Sequence, residues 1–170
     1  MLVASKYEEI YAPEVWDFEY ITDKAYSKAD ILALETRMLK LIDFSLTVPS
    51  SYWFLEWYTK LMATEQKVFY YAQYLLELSL VEVRMLKHSP SLQAASALYL
   101  ANKLHKVNPP WNDLIREHYT ESGVKPCAKD LYTLVMRDSS SLEAVKWKFQ
   151  TSKFLEVSWL ELQEPSSNRK

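Results

Sequence analysis

The chain has 170 residues, of which 49% are hydrophobic and 14% aromatic, and its formal net charge is -2. This composition can form a packed core, and the near-neutral charge excludes a protein that binds nucleic acid through electrostatic attraction. One glycine and seven prolines stand among abundant leucine, alanine, glutamate, lysine and methionine, which favours long helices over strands. The predicted fold class is all-α.

Cysteine content and hydropathy indicate the compartment in which the chain operates. Cys127 is the only cysteine, so no internal disulfide can form, and the first residues show no basic segment followed by an apolar one. No apolar run approaches the roughly 20 residues that a membrane-spanning helix needs. These features predict a protein of a reducing intracellular compartment with no membrane span.

The first two predicted helices are separated by Pro13. The segment from Met1 to Glu9 has the pattern of the middle of a helix, with no capping residue before it, so we expect that another segment normally precedes it. Pro13 excludes helical geometry at the residue before it, which predicts that the first helix ends near Tyr11. The same proline can start a second, short helix over residues 14–18.

The third predicted helix is apolar on more than one side. Ser27, followed three residues later by Asp30, resembles a capping box, and the helix is predicted to run to about Asp43. Two stripes at helical spacing follow it, one of Ile31, Leu34, Met38 and Leu41 and one of Leu32, Glu35, Leu39 and Ile42. Such a helix either lies centrally in a core or is shared between a core and a partner.

A boundary is predicted at Pro49, which stops the preceding element, while Ser50 or Ser51 can cap the next helix. Beyond it, the apolar periodicity predicts helices at roughly 50–62, 65–83, 89–106, 111–118, 121–137 and 142–149. The tail from Gln163 to Lys170 has the composition of a disordered segment.

A weak internal repeat accompanies this two-part organisation. Residues 3–6 (Val-Ala-Ser-Lys) and residues 100–103 (Leu-Ala-Asn-Lys) share the pattern apolar, alanine, small polar, lysine. The middle of another amphipathic helix follows about 29 residues after each. The pattern is short, so it is either a coincidence or a trace of two related helical units.

Residues 2–15 read LVASKYEEIYAPEV, and this segment resembles the third and fourth helices of the first cyclin box in A/B-type mitotic cyclins. The resemblance continues to about Ser158. It implies tandem cyclin-box helical bundles, with the end of an incomplete first box at 1–47, the second box at 48–160 and a disordered tail at 161–170. The helices of the first box that read Arg-x-Leu motifs in the family have no counterpart here. Ala12 replaces a family proline at a position with no functional role.

The resemblance also implies a function. Members of this family are non-enzymatic regulatory subunits that bind a cyclin-dependent protein kinase as a heterodimer and activate it by seating its αC helix. By resemblance we expect such a role in G2/M cell-cycle control, in the nucleus and cytoplasm, with the kinase as partner. No cofactor, metal, nucleic acid, membrane or small-molecule ligand is expected.

The resemblance assigns kinase-binding positions residue by residue. Lys6 and Glu35 match residues that contact the kinase around its αC helix. Glu8 and Glu9 match acidic positions near the activation segment of the kinase. The apolar surface for the αC helix is expected at Val3, Tyr7, Leu39, Phe44 and Leu46.

Other interpretations of these residues remain open at this point. Without the family match, Lys6 and Glu35 would be read as solvated charges on amphipathic helices, and the apolar positions as core. The histidines and Cys127 show no metal-ligand spacing, no glycine loop for phosphate is present, and Cys127 reads as a buried thiol. The alternative function is a truncated cyclin-like scaffold that binds partners without activating a kinase.

Overall fold

The computed structural model describes residues 1–111, 118–137 and 143–159. No strand occurs among these residues, and helices dominate them, so the all-α prediction is confirmed. The chain divides into two compact units, Met1–Val48 and Pro49–Lys170. The tail predicted to be disordered, and nearly all of the helix predicted at 111–118, lie outside the described residues.

The first unit contains the helices α1 (Leu2–Glu8), α2 (Val15–Ile21) and α3 (Lys28–Leu41). The hydroxyl oxygen of Ser27 accepts the backbone N–H of Asp30 at 3.2 Å, and the Asp30 carboxylate accepts the backbone N–H of Ser27 at 3.1 Å. These two bonds satisfy backbone donors that have no partner within the helix. The predicted capping box at the start of α3 is therefore present.

The boundaries of α1 and α2 differ from those predicted. Helix α1 ends at Glu8 rather than near Tyr11, because Glu9 is already extended, with φ -99° and ψ 138°. Ile10 and Tyr11 are almost fully exposed, so no packing stabilises a further turn. Helix α2 begins one residue later than predicted because Glu14 serves as its N-cap and not as its first residue.

The second unit contains α4 (Ser51–Met62), α5 (Gln66–Leu80), a 3-10 segment (Val83–Lys87), α6 (Pro90–Leu104), α7 (Glu121–Met136), α8 (Glu143–Phe149) and two 3-10 turns (Ser152–Phe154 and Val157–Trp159). The cap of α4 is Ser50, whose hydroxyl oxygen accepts the backbone N–H of Trp53 at 3.2 Å. Pro90 occupies the first turn of α6, where a missing backbone donor costs little.

The end of one helix in the second unit differs from the prediction. Helix α5 ends at Leu80 instead of continuing to 83, and the chain turns into the 3-10 segment after Glu82. Another helix, α7, contains Pro126 in its interior. A proline there has no N–H to donate to the preceding turn, so packing of α7 holds the helix together at this point.

Helix α6 is the centre of the second unit, and it packs against α4, α5 and α7. Its side chains at these contacts are mostly small, and Ala94, Ala95, Ala97 and Ala101 are completely buried. Small side chains allow the neighbouring helices to approach closely, and Leu98 fills the space between them.

His105, at the C-terminal end of α6, makes the stability of the second unit depend on pH. Burial and the nearby Lys67 lower the pKa of His105, and its Nε2 atom is buried with no hydrogen-bond partner among the described residues. The ring also packs edge-on against Tyr71, with 5.4 Å between centroids. The folded chain therefore favours the neutral form of this imidazole.

We expect acidification to destabilise the second unit through His105. The pKa of His105 is lower in the folded state than in the unfolded state. Its full contribution to the free energy of unfolding is therefore present above the unfolded pKa of about 6.5, and it is lost as the pH drops toward the folded pKa. Urea unfolding between pH 7 and pH 5 measures the loss. His105→Gln should make the curve of stability against pH flatter. An unchanged slope in His105→Gln would contradict this assignment.

Candidate interaction surface

The first unit leaves most of its apolar side chains exposed. Within residues 1–48 only Leu2 and Ser5 are buried, while large apolar side chains on all three helices face solvent, including Trp16, Leu34 and Leu41. A folded domain rarely exposes so many large apolar side chains, and apolar patches on a surface mark interaction sites. The first unit therefore has the character of one side of an interface.

This exposure predicts weak protection of the first unit in the free chain. Amide hydrogen exchange should be faster over residues 1–48 than over α5 and α6, because few buried contacts oppose local opening in the first unit. Mass spectrometry of peptides from the exchanged chain measures both regions in one experiment. Equal protection of the two regions would mean that the exposed apolar surface does not weaken the first unit.

An ion pair joins α1 to α3 on this exposed surface. The Nζ atom of Lys6 lies 2.9 Å from Oε1 and 3.1 Å from Oε2 of Glu35. The Lys6 side chain is 47% exposed and that of Glu35 is 14% exposed, so the carboxylate is largely covered while the ammonium reaches solvent. The resemblance to the cyclin family placed both residues on one surface, but no feature of the sequence predicted that they bind each other.

A second contact ties α1 to the segment that follows α3. The hydroxyl groups of Tyr7 and Thr47 share a hydrogen bond. This contact brings the exposed Tyr7 ring close to the end of the segment that carries Phe44 and the half-buried Leu46. Nothing in the sequence pointed to Thr47, because a lone threonine in a loop carries no pattern.

The chain reverses after α3 through two residues with left-handed backbone geometry. The φ angles of Asp43 and Phe44 are 50° and 55°. Aspartate tolerates this geometry, but for a bulky residue such as Phe44 it is strained. The backbone N–H of Phe44 donates to the carbonyl of Leu39 at 2.9 Å, which holds the turn, and the Phe44 ring is 65% exposed.

A groove of about 350 Å³ crosses the same unit. It lies between the first turn of α1, the end of α2 and the side of α3, and Val3 and Glu35 line it together with Phe18, Ile31, Leu34 and Met38. Among the predicted positions, Val3, Lys6 and Glu35 are thus adjacent in space. Leu39, one turn beyond Glu35 on α3, is half-buried and does not line the groove.

Glu8 and Glu9 lie at the C-terminal end of α1, and both are exposed. Their side chains make no hydrogen bond or ion pair with any residue that the structure describes. Negative charge at this end of a helix opposes the helix dipole, so these carboxylates do not stabilise α1. Their position suits recognition of basic groups on a partner.

The described residues hold no arrangement that suits metal or thiol chemistry. No group of three or more histidine, cysteine, aspartate or glutamate side chains among them has the geometry to hold a metal ion. Burial raises the pKa of the Cys127 thiol to about 11, so the thiolate nucleophile does not form near neutral pH. In the same part of the chain, each helix is too short or too polar to traverse a bilayer.

Comparison with known proteins gives two consecutive domain matches. Residues 1–47 match the family described as cyclin, N-terminal domain, and residues 49–163 match the family described as cyclin, C-terminal domain. Together with the all-helical fold, the two matches define a chain of the cyclin-box class. The chain belongs to the cyclin family.

Similar proteins carry cyclin names, and two of the three described here are G2/mitotic-specific cyclin-B proteins. The chain is 41% identical over 161 residues to the G2/mitotic-specific cyclin-B of Patella vulgata, an alignment that covers 93% of this chain and 39% of that protein. It is 42% identical over 167 residues to cyclin-A1 of Xenopus laevis, covering 95% and 40%. It is also 42% identical over 161 residues to the cyclin-B of Hydra viridissima, covering 93% and 41%. The chain therefore spans about two fifths of the length of these curated relatives.

Proposed function

We propose that this chain is a non-enzymatic regulatory subunit that binds a cyclin-dependent protein kinase and activates it in G2/M control. Membership of the cyclin family and the G2/mitotic names of the relatives support this role. The kinase is proposed to contact the first unit at the exposed surface around α1 and α3.

The observation that carries the proposal is the Lys6–Glu35 ion pair within an exposed apolar surface. Burying such a pair beneath a partner removes water from both charges, which is favourable only if the partner supplies matching groups. The apolar side chains of such a surface supply affinity, and its ion pair fixes the orientation of the bound partner. Val3, Tyr7, Leu39, Phe44 and Leu46 are proposed to supply the apolar contacts.

The proposed mechanism is a shift in the conformational equilibrium of the kinase. A kinase is active only when the lysine of its third strand pairs with the glutamate of its αC helix. A partner that binds only this arrangement stabilises it, and moving the equilibrium from 1:99 to 99:1 takes about 5.5 kcal/mol of differential binding. Apolar contacts with the αC helix provide that difference without any bond chemistry in the cyclin.

Two further features of the first unit suit this mechanism. Glu8 and Glu9 present two carboxylates that are not engaged within the described chain, and these are proposed to accept hydrogen bonds from basic groups near the activation segment. Phe44 is held with its ring exposed by a strained turn, a geometry common at binding sites.

Binding and activation can be tested separately with purified components. The chain should co-elute with a cyclin-dependent kinase in size-exclusion chromatography and should raise phosphorylation of a histone substrate by that kinase. Binding without activation would support the scaffold alternative and contradict the activation step. Failure to bind any of a panel of cyclin-dependent kinases would overturn the proposal as a whole.

The non-enzymatic character and the location of the chain are also open to test. The chain alone should bind no ATP, and stoichiometric binding of ATP in calorimetry without kinase would contradict a purely regulatory role. We further propose that the chain operates in the nucleus and cytoplasm, which imaging of a fluorescently tagged chain would check.

A further inference from the structure

The second unit carries its own groove, between α6 and α7, with a volume of about 410 Å³. The floor of this groove is apolar and includes Leu100 and Leu104 of α6. Lysine side chains line both sides, with Lys103 on α6 and Lys125 and Lys129 on α7. No carboxylate among the described residues lines the groove, so this part of the chain forms an apolar surface with a basic rim.

The internal repeat relates this groove to the surface proposed for the kinase in the first unit. Lys103 corresponds to Lys6 in the repeated pattern, and Glu35 follows Lys6 by 29 residues. The residue at the same separation from Lys103 is Tyr132, which lines the groove together with Lys103. Corresponding residues are thus adjacent in both units, which favours two related helical units over a chance pattern.

The corresponding positions differ in charge. Lys6 binds Glu35 in the first unit, whereas Tyr132 leaves Lys103 with no ion-pair partner within the described residues. Lys129 also has no such partner in the part of the chain that the structure describes, while Lys125 lies 2.9 Å from a carboxylate oxygen of Glu121. The groove of the second unit therefore presents two uncompensated positive charges beside apolar side chains.

We propose that the α6–α7 groove is a second docking surface, which binds an acidic amphipathic helix of a partner protein. The apolar side of that helix would pack against Leu100 and Leu104, and its carboxylates would reach Lys103 and Lys129 on the two sides of the groove. Opposite charge at the rim gives such a helix its orientation and its rate of association. That the partner presents a helix rests on the proposed function, in which the first unit binds a helix of the kinase. The position of the surface rests on the charges of the groove and on the internal repeat.

A synthetic helix tests this inference without the kinase. The probe is a fluorescein-labelled peptide of leucine, alanine and glutamate, with leucines on one helical face and glutamates beside it, titrated with the full chain in fluorescence anisotropy. A matched peptide with lysine in place of every glutamate is the first control. We expect the acidic peptide to bind, its affinity to fall with added salt, and the basic peptide not to bind.

Two variants assign the binding to the groove. Lys103→Glu combined with Lys129→Glu should weaken the acidic peptide about tenfold or more, and Tyr132→Glu should weaken it by placing a carboxylate beside Lys103. The control is Lys60→Glu combined with Lys146→Glu, which changes net charge equally at exposed positions outside the groove. Circular dichroism checks that each variant is folded.

Three outcomes would overturn the inference. These are equal affinity for the two peptides, equal loss in the groove variants and the control variant, or no measurable binding of the acidic peptide. Kinase binding by the wild-type chain is measured alongside. Because the peptide assay contains no kinase, a wild-type chain that binds the kinase but not the acidic peptide contradicts this inference alone, and one that binds the peptide but not the kinase contradicts only the proposed function.

Discussion

Replacing Lys6 by glutamate is expected to weaken kinase binding by about 2–5 kcal/mol, which is about 30-fold or more in Kd. The Nζ atom of Lys6 lies 2.9 Å from the Glu35 carboxylate, so the substitution puts two carboxylates side by side on the proposed surface. The lost contact with the kinase and the new repulsion act in the same direction. Isothermal titration of the purified chain with a cyclin-dependent kinase measures the change.

Exchanging the two charges separates direct recognition from support of the fold. The double variant Lys6→Glu with Glu35→Lys restores an ion pair between α1 and α3 but reverses the charges that a partner meets. We expect kinase binding to remain weak in this variant. If wild-type affinity returned, the pair would act only by holding the two helices together, and its proposed role in recognition would be wrong.

The second unit provides a matched control for this pair. The Nζ atom of Lys148 lies 2.7 Å from Oε1 of Glu77, and the two side chains are 45% and 23% exposed, similar to Lys6 and Glu35. The exchange Lys148→Glu with Glu77→Lys should leave kinase affinity unchanged. A comparable loss in this control would mean that the Lys6 result reflects general destabilisation.

The largest expected effect on stability comes from Leu98→Ala, which should lower the free energy of unfolding of the second unit by about 2–5 kcal/mol. Leu98 is 0% exposed on α6, and three other helices pack against α6. Removing the side chain loses its apolar contacts and leaves a cavity that rigid neighbouring helices cannot fill. Urea unfolding monitored by circular dichroism gives the difference in free energy.

Leu80→Ala is the control for this substitution, because Leu80 is 81% exposed at the end of α5. The same chemical change there should alter the free energy of unfolding by about 0.5 kcal/mol or less. Similar losses in both variants would mean that α6 is not the centre of the core. The comparison thus measures the contribution of burial at one position and not the helix propensity of leucine.

The caps and breaks of the helices were predicted from the sequence because their causes are local. Ser27 with Asp30 and Ser50 with Trp53 form hydrogen bonds between residues three apart in the chain. The ends of helices were predicted less well. Helix α1 stops before Tyr11 because no packing supports a further turn, and packing depends on residues distant in sequence.

In the candidate site, too, the sequence predicted some features, while others depend on residues that are distant in the chain. The resemblance to cyclins assigned Lys6 and Glu35 to one surface, but their ion pair joins residues 29 apart in the chain. Likewise, the contact of Tyr7 with Thr47 and the left-handed turn at Phe44 follow from how the chain folds back on α1. Neither feature has a sequence pattern, because threonine and phenylalanine are common in many other settings.

The sequence by itself determined that this chain is helical, where the helices capped by Ser27 and Ser50 begin, and that it resembles mitotic cyclins. Composition, these capping residues and motif order are properties of the linear chain. Only the tertiary structure decided which apolar faces are covered. Periodicity predicted two apolar stripes on α3, but Leu34 and Met38 of one stripe are exposed in the structure. On α6, by contrast, the face formed by small side chains is buried. The physical reason is that periodicity specifies a face, whereas burial requires another part of the protein, or a partner, to lie against it.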